Sequence, residues 1–138
     1  MKFITSIFFL FQLAGCSTTK KNSGEITTST GLRYFVLKQG TGEPAKKGQE
    51  VAIYESMALM SGKEFYSIGR PDPPIKFTLG TKQVIDGVDE AVTGMKIGEI
   101  RKVIVPPSLS KRQEYPVYLS PDSTLLYQIE LVEIKNSK

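Results

Sequence analysis

The chemistry open to this chain is bounded first by what its side chains cannot do. Its 138 residues include no histidine and one cysteine, Cys16. Without an imidazole there is no Ser–His–Asp or Cys–His nucleophile, and the commonest general base and metal ligand is missing. One cysteine forms no internal disulfide and builds no thiolate metal cluster. No metal or other cofactor is expected. Two kinds of group remain. One is the thiol of Cys16, which follows an apolar run and two small residues. The other is the chain's aromatic and aliphatic side chains, which pack cores and exclude water but move no proton. The 18 basic and 14 acidic residues are interleaved along most of the chain. No basic stripe or aromatic-basic motif is present, so no nucleic-acid partner is expected.

The thiol has a recognisable setting. Lys2 precedes an apolar run, Phe3 to Leu13, of about 11 residues, within the length of a signal-peptide core and short of the roughly 20 that span a bilayer. The run ends in Leu13-Ala14-Gly15-Cys16, which resembles the bacterial lipobox. In that motif small residues admit the peptidase, the thiol is alkylated with diacylglycerol, and cleavage makes the cysteine the new N-terminus. An uncleaved signal anchor is the alternative. Residues 1–15 are therefore expected to be a lipoprotein signal peptide, and residues 16–31, rich in Ser and Thr, a lipidated flexible tether. A folded domain is expected over 32–135, with 136–138 as a tail. Ser17 after the cysteine resembles lipoproteins sorted to an outer membrane, facing the periplasm. In a cell without one, the anchor would sit in the cell membrane.

Apolar residues make up 40% of the chain, enough for one ordinary core. Leu32–Lys38 is rich in β-formers between glycines. Glu50–Met60 alternates, with Val51, Ile53, Met57 and Leu59 on one face and Ala52, Tyr54 and Ser56 on the other. Short strands are expected at Glu64–Ser67, Ile75–Leu79 and Glu99–Val105. Leu125–Ile134 reads most clearly, with Leu125, Tyr127, Ile129 and Leu131 inward. Val88, Ala91, Val92 and Met95 recur at helical spacing, with Asp86 placed to cap the helix and Gly94 to end it. Strands, one short helix and two more strands predict an α+β fold, an antiparallel sheet with a helix on one face.

Several fragments in order resemble the FKBP-type peptidyl-prolyl isomerases, from about Gly31 to Ile134. They are Gly48-Gln49 before Val51-Ala52-Ile53-Tyr54, then Gly62-Lys63-Glu64-Phe65, and Phe77-x-Leu79-Gly80 with Val84-Ile85-x-Gly87. Gly94-Met95-x-x-Gly98-Glu99 and Leu125-x-Tyr127-x-Ile129-Glu130-Leu131 complete the set. The resemblance implies a curved antiparallel sheet wrapped on a short helix, with an apolar cup between them. It assigns catalytic positions to Tyr54, Phe65, Ile85 and Tyr127, and substrate contacts to Ile75, Val84, Val88 and Leu119. It also implies proline-containing polypeptide partners, a membrane contact only through the lipid, and a monomer. Three positions depart from the family pattern. Tyr66 stands where the family has an aspartate, Val88 where it has a bulky floor residue, and Ser108-Leu109-Ser110-Lys111-Arg112 where it has a tyrosine donor. Tyr115 or Tyr118 can replace that donor. A non-catalytic chaperone or protein-binding module is the second reading that these departures support.

Overall fold

A computed structural model describes residues 24–136. Cys16, the signal segment and the first part of the expected tether lie outside the described residues, as do Ser137 and Lys138.

The elements run β1 (Ile26–Thr27), β2 (Arg33–Lys38), β3 (Glu50–Leu59), β4 (Glu64–Ile68), β5 (Ile75–Thr78), α1 (Asp86–Val92), β6 (Ile100–Val105), a 3-10 turn (Pro107–Leu109) and β7 (Leu125–Lys135). All seven strands form one antiparallel sheet in the order β1-β2-β6-β7-β3-β4, with β5 also on β3. Strand β3 is the axis of the sheet. Its first half pairs with β5, its second with β4, and its whole length with β7. The alternation in β7 holds, since Leu125, Tyr127, Ile129 and Leu131 are buried and Gln128 is exposed. Those side chains meet Val51, Ile53, Met57, Val103 and Val105 in one core cluster, and α1 closes it with Val88, Ala91 and Val92.

Three expectations change. The tether does not extend to residue 31: Ile26–Thr27 pairs with Tyr34 and Arg33, and Glu25 meets Arg33 at 3.2 Å. Thr30 Oγ1 lies within 2.7 and 2.8 Å of the Glu90 carboxylate on α1. A two-residue strand carries almost no periodicity, so pairing with an edge, rather than composition, orders this segment. Asp86 is the first helical residue and no cap; Ile85 holds the cap position with extended backbone and no side-chain cap bond. The Asp86 carboxylate lies instead 3.5 Å from Lys82. Gly94 follows the helix at φ +87°, a left-handed conformation that glycine adopts without strain. The expected tail starts one residue too early, because Asn136 Oδ1 accepts from Gln49 Nε2 at 2.7 Å.

A helix of seven residues is too short to persist alone. Tertiary contacts hold it. A side chain at Gly87 would overlap Val105 and press on the Leu109 carbonyl, so only glycine lets the helix sit this close to β6. Gly80 N–H donates to Asp89 Oδ2 at 2.8 Å. Arg101, buried on β6, donates to the Ala91 carbonyl at 3.0 Å and to Glu99 Oε1 at 2.5 Å. Its guanidinium carbon lies 4.3 Å from the centre of the Tyr34 ring. Glu99 also accepts from Lys96 N–H at 2.9 Å, so this buried pair is fully satisfied. Arg101→Met leaves the Glu99 carboxylate buried and unpaired. It is expected to lower the unfolding free energy by about 3–5 kcal/mol, measured by urea denaturation. Adding Glu99→Gln, which removes the stranded charge, should recover part of the loss.

Candidate active site

The helix entry and the loop before it carry the first side chains of the site. Gln83 Oε1 accepts from Thr78 N–H at 2.7 Å, and Thr81 Oγ1 donates to the Thr78 carbonyl at 2.7 Å. These bonds fold the 79–85 loop back on β5. Val84 and Ile85 are left half-buried against the core, with Val88 one turn on and 3% exposed. The Ile85 carbonyl accepts from Val88 and Asp89 N–H, both at 3.1 Å, while no hydrogen bond from the Ile85 N–H to another described residue is found. Its free donor sits at the head of α1, among apolar side chains.

The sheet supplies the opposite wall. Ile75 on β5 pairs with Ile53 and is half-buried. A bulge in β4 shifts the register between Met57–Tyr66 and Ala58–Glu64. The extra residue is Phe65, so Phe65 and Tyr66 both pack on the core cluster despite being adjacent. Tyr118 from the following loop lies against Phe65, ring centroids 5.0 Å apart. Tyr127 and Leu119 are buried at 2% and 4% exposure. Val88, Leu119 and Tyr127 belong to the core cluster, and Phe65, Ile75, Val84 and Ile85 are half-buried against it.

Tyr54 is the exception. It pairs across to Glu130 of β7, on the outer face of the sheet. Its hydroxyl donates to the Asp72 carbonyl at 3.0 Å, and Arg70 stacks on its ring at 4.9 Å while also pairing with Glu130. The inward residue at this level of β3 is Glu55, opposite Ile129. Tyr66 donates its hydroxyl to Glu55 Oε1 at 2.5 Å. Arg112 approaches from the 110–118 loop. Glu55, Tyr66 and Arg112 are the residues that motif matching missed. The strand alternation carried the signal, because Glu55 is in phase with Ile53 and Met57.

The electrostatics follow from this burial. Desolvation raises the Glu55 carboxyl above its ordinary value, opposed by the bond from Tyr66 and by the charge of Arg112. Tyr66 is pushed far up by burial and by the neighbouring Glu55 charge, so it stays a donor. Burial also raises Tyr127, while Arg112 opposes the shift. The Tyr127 hydroxyl lies 3.1 Å from Met57 Sδ. Among the described residues no group of three or more acidic or cysteine side chains is placed to hold a metal.

Residues 41–132 match the family described as FKBP-type peptidyl-prolyl cis-trans isomerase. The chain belongs to that family. FK506-binding protein 2 of Yarrowia lipolytica is 33% identical over 131 residues, covering 94% of this chain and 90% of its own length. FK506-binding protein 1A of Neurospora crassa is 38% identical, over 76% of this chain and 89% of its own. FkpA of Escherichia coli is 34% identical, and the match spans 42% of its length. Its crystal structure superposes with a TM-score of 0.73 at 33% identity, covering 86% of this chain and 55% of that one. The fold is the FKBP sheet wrapped on one short helix. The activity is peptidyl-prolyl cis-trans isomerisation, and the substrates are proline-containing polypeptides.

Against that family the polar edge of the cup is inverted. The place after the hairpin phenylalanine, an aspartate in the family pattern, holds the phenol of Tyr66, and the carboxylate comes from Glu55 on the neighbouring strand. Of the two tyrosines expected as substitutes for the missing donor, Tyr118 stacks on Phe65 and Tyr115 packs against the core.

The raised Glu55 carboxyl has a signed consequence. In the folded protein it takes up its proton at a higher pH than in the unfolded chain. Between those two values the folded state binds more protons, so stability rises as pH falls. Relative to Glu55→Gln, the unsubstituted protein is expected to gain stability from neutral pH down to the ordinary carboxylate range, then level off. Urea midpoints measured across that window check it, and a gap that widens in favour of Glu55→Gln as the pH falls would contradict it.

Proposed function

We propose that this isomerase domain acts as a monomer on exported polypeptides beside a membrane, tethered through a lipid on Cys16. The observation that carries the catalytic part is the unpartnered Ile85 N–H at the head of α1, inside an apolar rim. The X–Pro bond turns over a barrier of about 18–20 kcal/mol because amide resonance must be broken. Uncatalysed, it takes tens to hundreds of seconds. No acid or base is required. The proline ring enters between Phe65, Ile75 and Tyr127, above Val88 and Leu119, while Val84 and Ile85 close the helix side. Entry strips water from the preceding carbonyl. A planar amide loses more from this than a twisted one, whose carbonyl is less polar, so the barrier falls. The Ile85 N–H holds a substrate carbonyl in the orientation from which the bond turns.

Leu13–Cys16 and the apolar run before it support the anchor, and Ser17 favours an outer membrane facing the periplasm where the cell has one. Each acyl CH₂ buried in lipid contributes about 0.8 kcal/mol, so several chains hold firmly.

Magnetisation-exchange NMR on an Ala-Leu-Pro-Phe-type peptide tests the catalytic reading. The unsubstituted domain should accelerate exchange. Phe65→Ala should lose roughly tenfold or more, about 1.4 kcal/mol of barrier, while Tyr54→Phe, on the outer face, stays within about twofold. An absence of rate gain at high enzyme concentration would leave a non-catalytic binding module instead.

The anchor has its own test, labelled-palmitate incorporation in bacterial cells. Incorporation should disappear with Cys16→Ser; label retained by that variant would refute the lipid site.

A further inference from the structure

One corner of the sheet's outer face is apolar. On β6, Val103 and Val105 belong to the core cluster, so Lys102 and Ile104 point the other way. On β2, Tyr34 packs on the core, and its neighbour Phe35, paired with Lys102, lies on the outer face. Ile104 sits between Arg33 of β2 and Leu126 of β7. The register of β2 then slips. Val36 pairs with Arg101 and Lys38 with Ile100, which leaves Leu37 as the extra residue of a bulge. Leu37 is 54% exposed, and it lines a groove of about 370 Å³ with Lys102 and Leu126. Phe35, Leu37 and Ile104 thus make an apolar corner beside the β1 edge. Arg33, Lys38 and Lys102 surround it. The acids nearby are Glu25, paired with Arg33, and Glu64, at the β4 end of the groove.

The place of this corner selects what covers it. With a lipid on Cys16, the eight residues from Cys16 to Ser23 reach at most about 28 Å from the bilayer. They lead into β1, whose Thr27 pairs with Arg33. The corner is thereby held within reach of headgroups, and its cations complement anionic phosphates. A second copy complements it poorly, since a two-fold axis would set the same cations against one another. The cup lies on the inner face, so lipid contact at this corner leaves the cup open to the aqueous side.

We infer that the corner is a membrane-contact surface. Leu37 enters the boundary between headgroups and acyl chains, while Lys38 and Lys102 meet the phosphates of anionic lipids. The inference rests on the lipid-anchored reading and deepens it, because it fixes the orientation the domain takes on its tether. Each lysine near an anionic surface favours contact by about fivefold. Attachment is supplied by the lipid, so these side chains have only to select one orientation from those the tether allows.

The chain contains no tryptophan, so a single one introduced reports its own surroundings. The full chain, with the lipid on Cys16 verified by mass spectrometry, is placed in phosphatidylethanolamine vesicles containing phosphatidylglycerol. Leu37→Trp puts the probe in the corner. Val117→Trp puts it at a fully exposed apolar position, next to the Tyr118 that stacks on Phe65. Emission from Leu37→Trp is expected to shift to shorter wavelength and to be quenched about twofold or more by brominated acyl chains. Val117→Trp should show neither effect. Adding Lys38→Gln and Lys102→Gln to Leu37→Trp should remove most of the quenching, as should replacing phosphatidylglycerol with phosphatidylcholine. Unquenched Leu37→Trp in a lipidated chain overturns the inference alone. Quenching of Val117→Trp as strong as that of Leu37→Trp overturns it too, since the domain would then have no preferred face. Quenching unchanged by both the lysine substitutions and the neutral vesicles overturns the assignment to anionic lipid. Urea midpoints check folding. Should Leu37→Trp not fold, Gln39→Trp, at an exposed position two residues on, replaces it under the same outcomes. A chain that carries no lipid on Cys16 overturns the anchored reading and this inference together.

Discussion

The seat of the short helix on β6 is the constraint on which the rest depends. Helix α1 cannot hold itself together, so its place is set by what it touches. Gly87 lets its first turn lie against Val105 and the Leu109 carbonyl, and Arg101 grips the Ala91 carbonyl near its end. The first contact fixes more than the helix. Val84 and Ile85 are continuous with its head, and the segment that carries Leu109 continues to Arg112. Both segments are therefore referred to one backbone contact, which any side chain at position 87 would force apart. The rigid sheet behind it places Phe65, Ile75 and Tyr127 opposite, so cup geometry reduces to how closely one helix turn approaches one strand end.

Two buried arginine–glutamate sets show what such charges are for. Glu99 and Arg101 spend all their prominent contacts within the protein: one carboxylate oxygen on Arg101, the other on Lys96 N–H, and the guanidinium on the helix. Burying them is tolerable because nothing is left unpaired. The set at Glu55 is incomplete. Tyr66 satisfies one carboxylate oxygen, and the other has no partner, as has Arg112 Nη2. The hydrogen bond from Tyr66 to Glu55 joins β4 to β3 and sets the carboxylate on the strand nearer the sheet centre.

Much of this was legible in the residues, and the failures have physical reasons. Strands β3 and β7 and the helix follow from alternation and helical spacing, and β2 from β-forming residues between glycines. Leu119 lies in the loop before β7, where no periodicity marks it. The family motif puts Tyr54 in the cup, but strand alternation sets Tyr54 on the face opposite Ile53 and sends Glu55 inward. An acidic residue on an apolar face reads as an error in the pattern until its partner is known, and that partner, Tyr66, comes from a bulge that period-two reading cannot see. Arg112 was hidden for another reason. It sits in a segment without periodicity, where only the folded backbone decides which side chain turns in. The capping of α1 failed on a single residue, since Asp86 has a suitable side chain but already has helical backbone.

The N-terminal strand changes what an anchor would do. In the strand order β1 and β4 stand at opposite edges of the main path. Five inter-strand spacings of roughly 4.8 Å separate them by about 24 Å along the sheet. Phe65 and Tyr66 are on β4. On the lipid-anchored reading, the chain from Cys16 therefore joins the domain at the edge farthest from that wall of the cup. The eight residues from Cys16 to Ser23, even fully extended, reach at most about 28 Å. A leash that short keeps the β1 edge near the headgroups, while the width of the sheet itself carries the cup outward. The ordered segment from Glu25 to Leu32, held by Arg33 and Glu90, then acts as a stiff foot and no longer as slack. On that reading, clearance of the cup from the membrane would come from the sheet's own width.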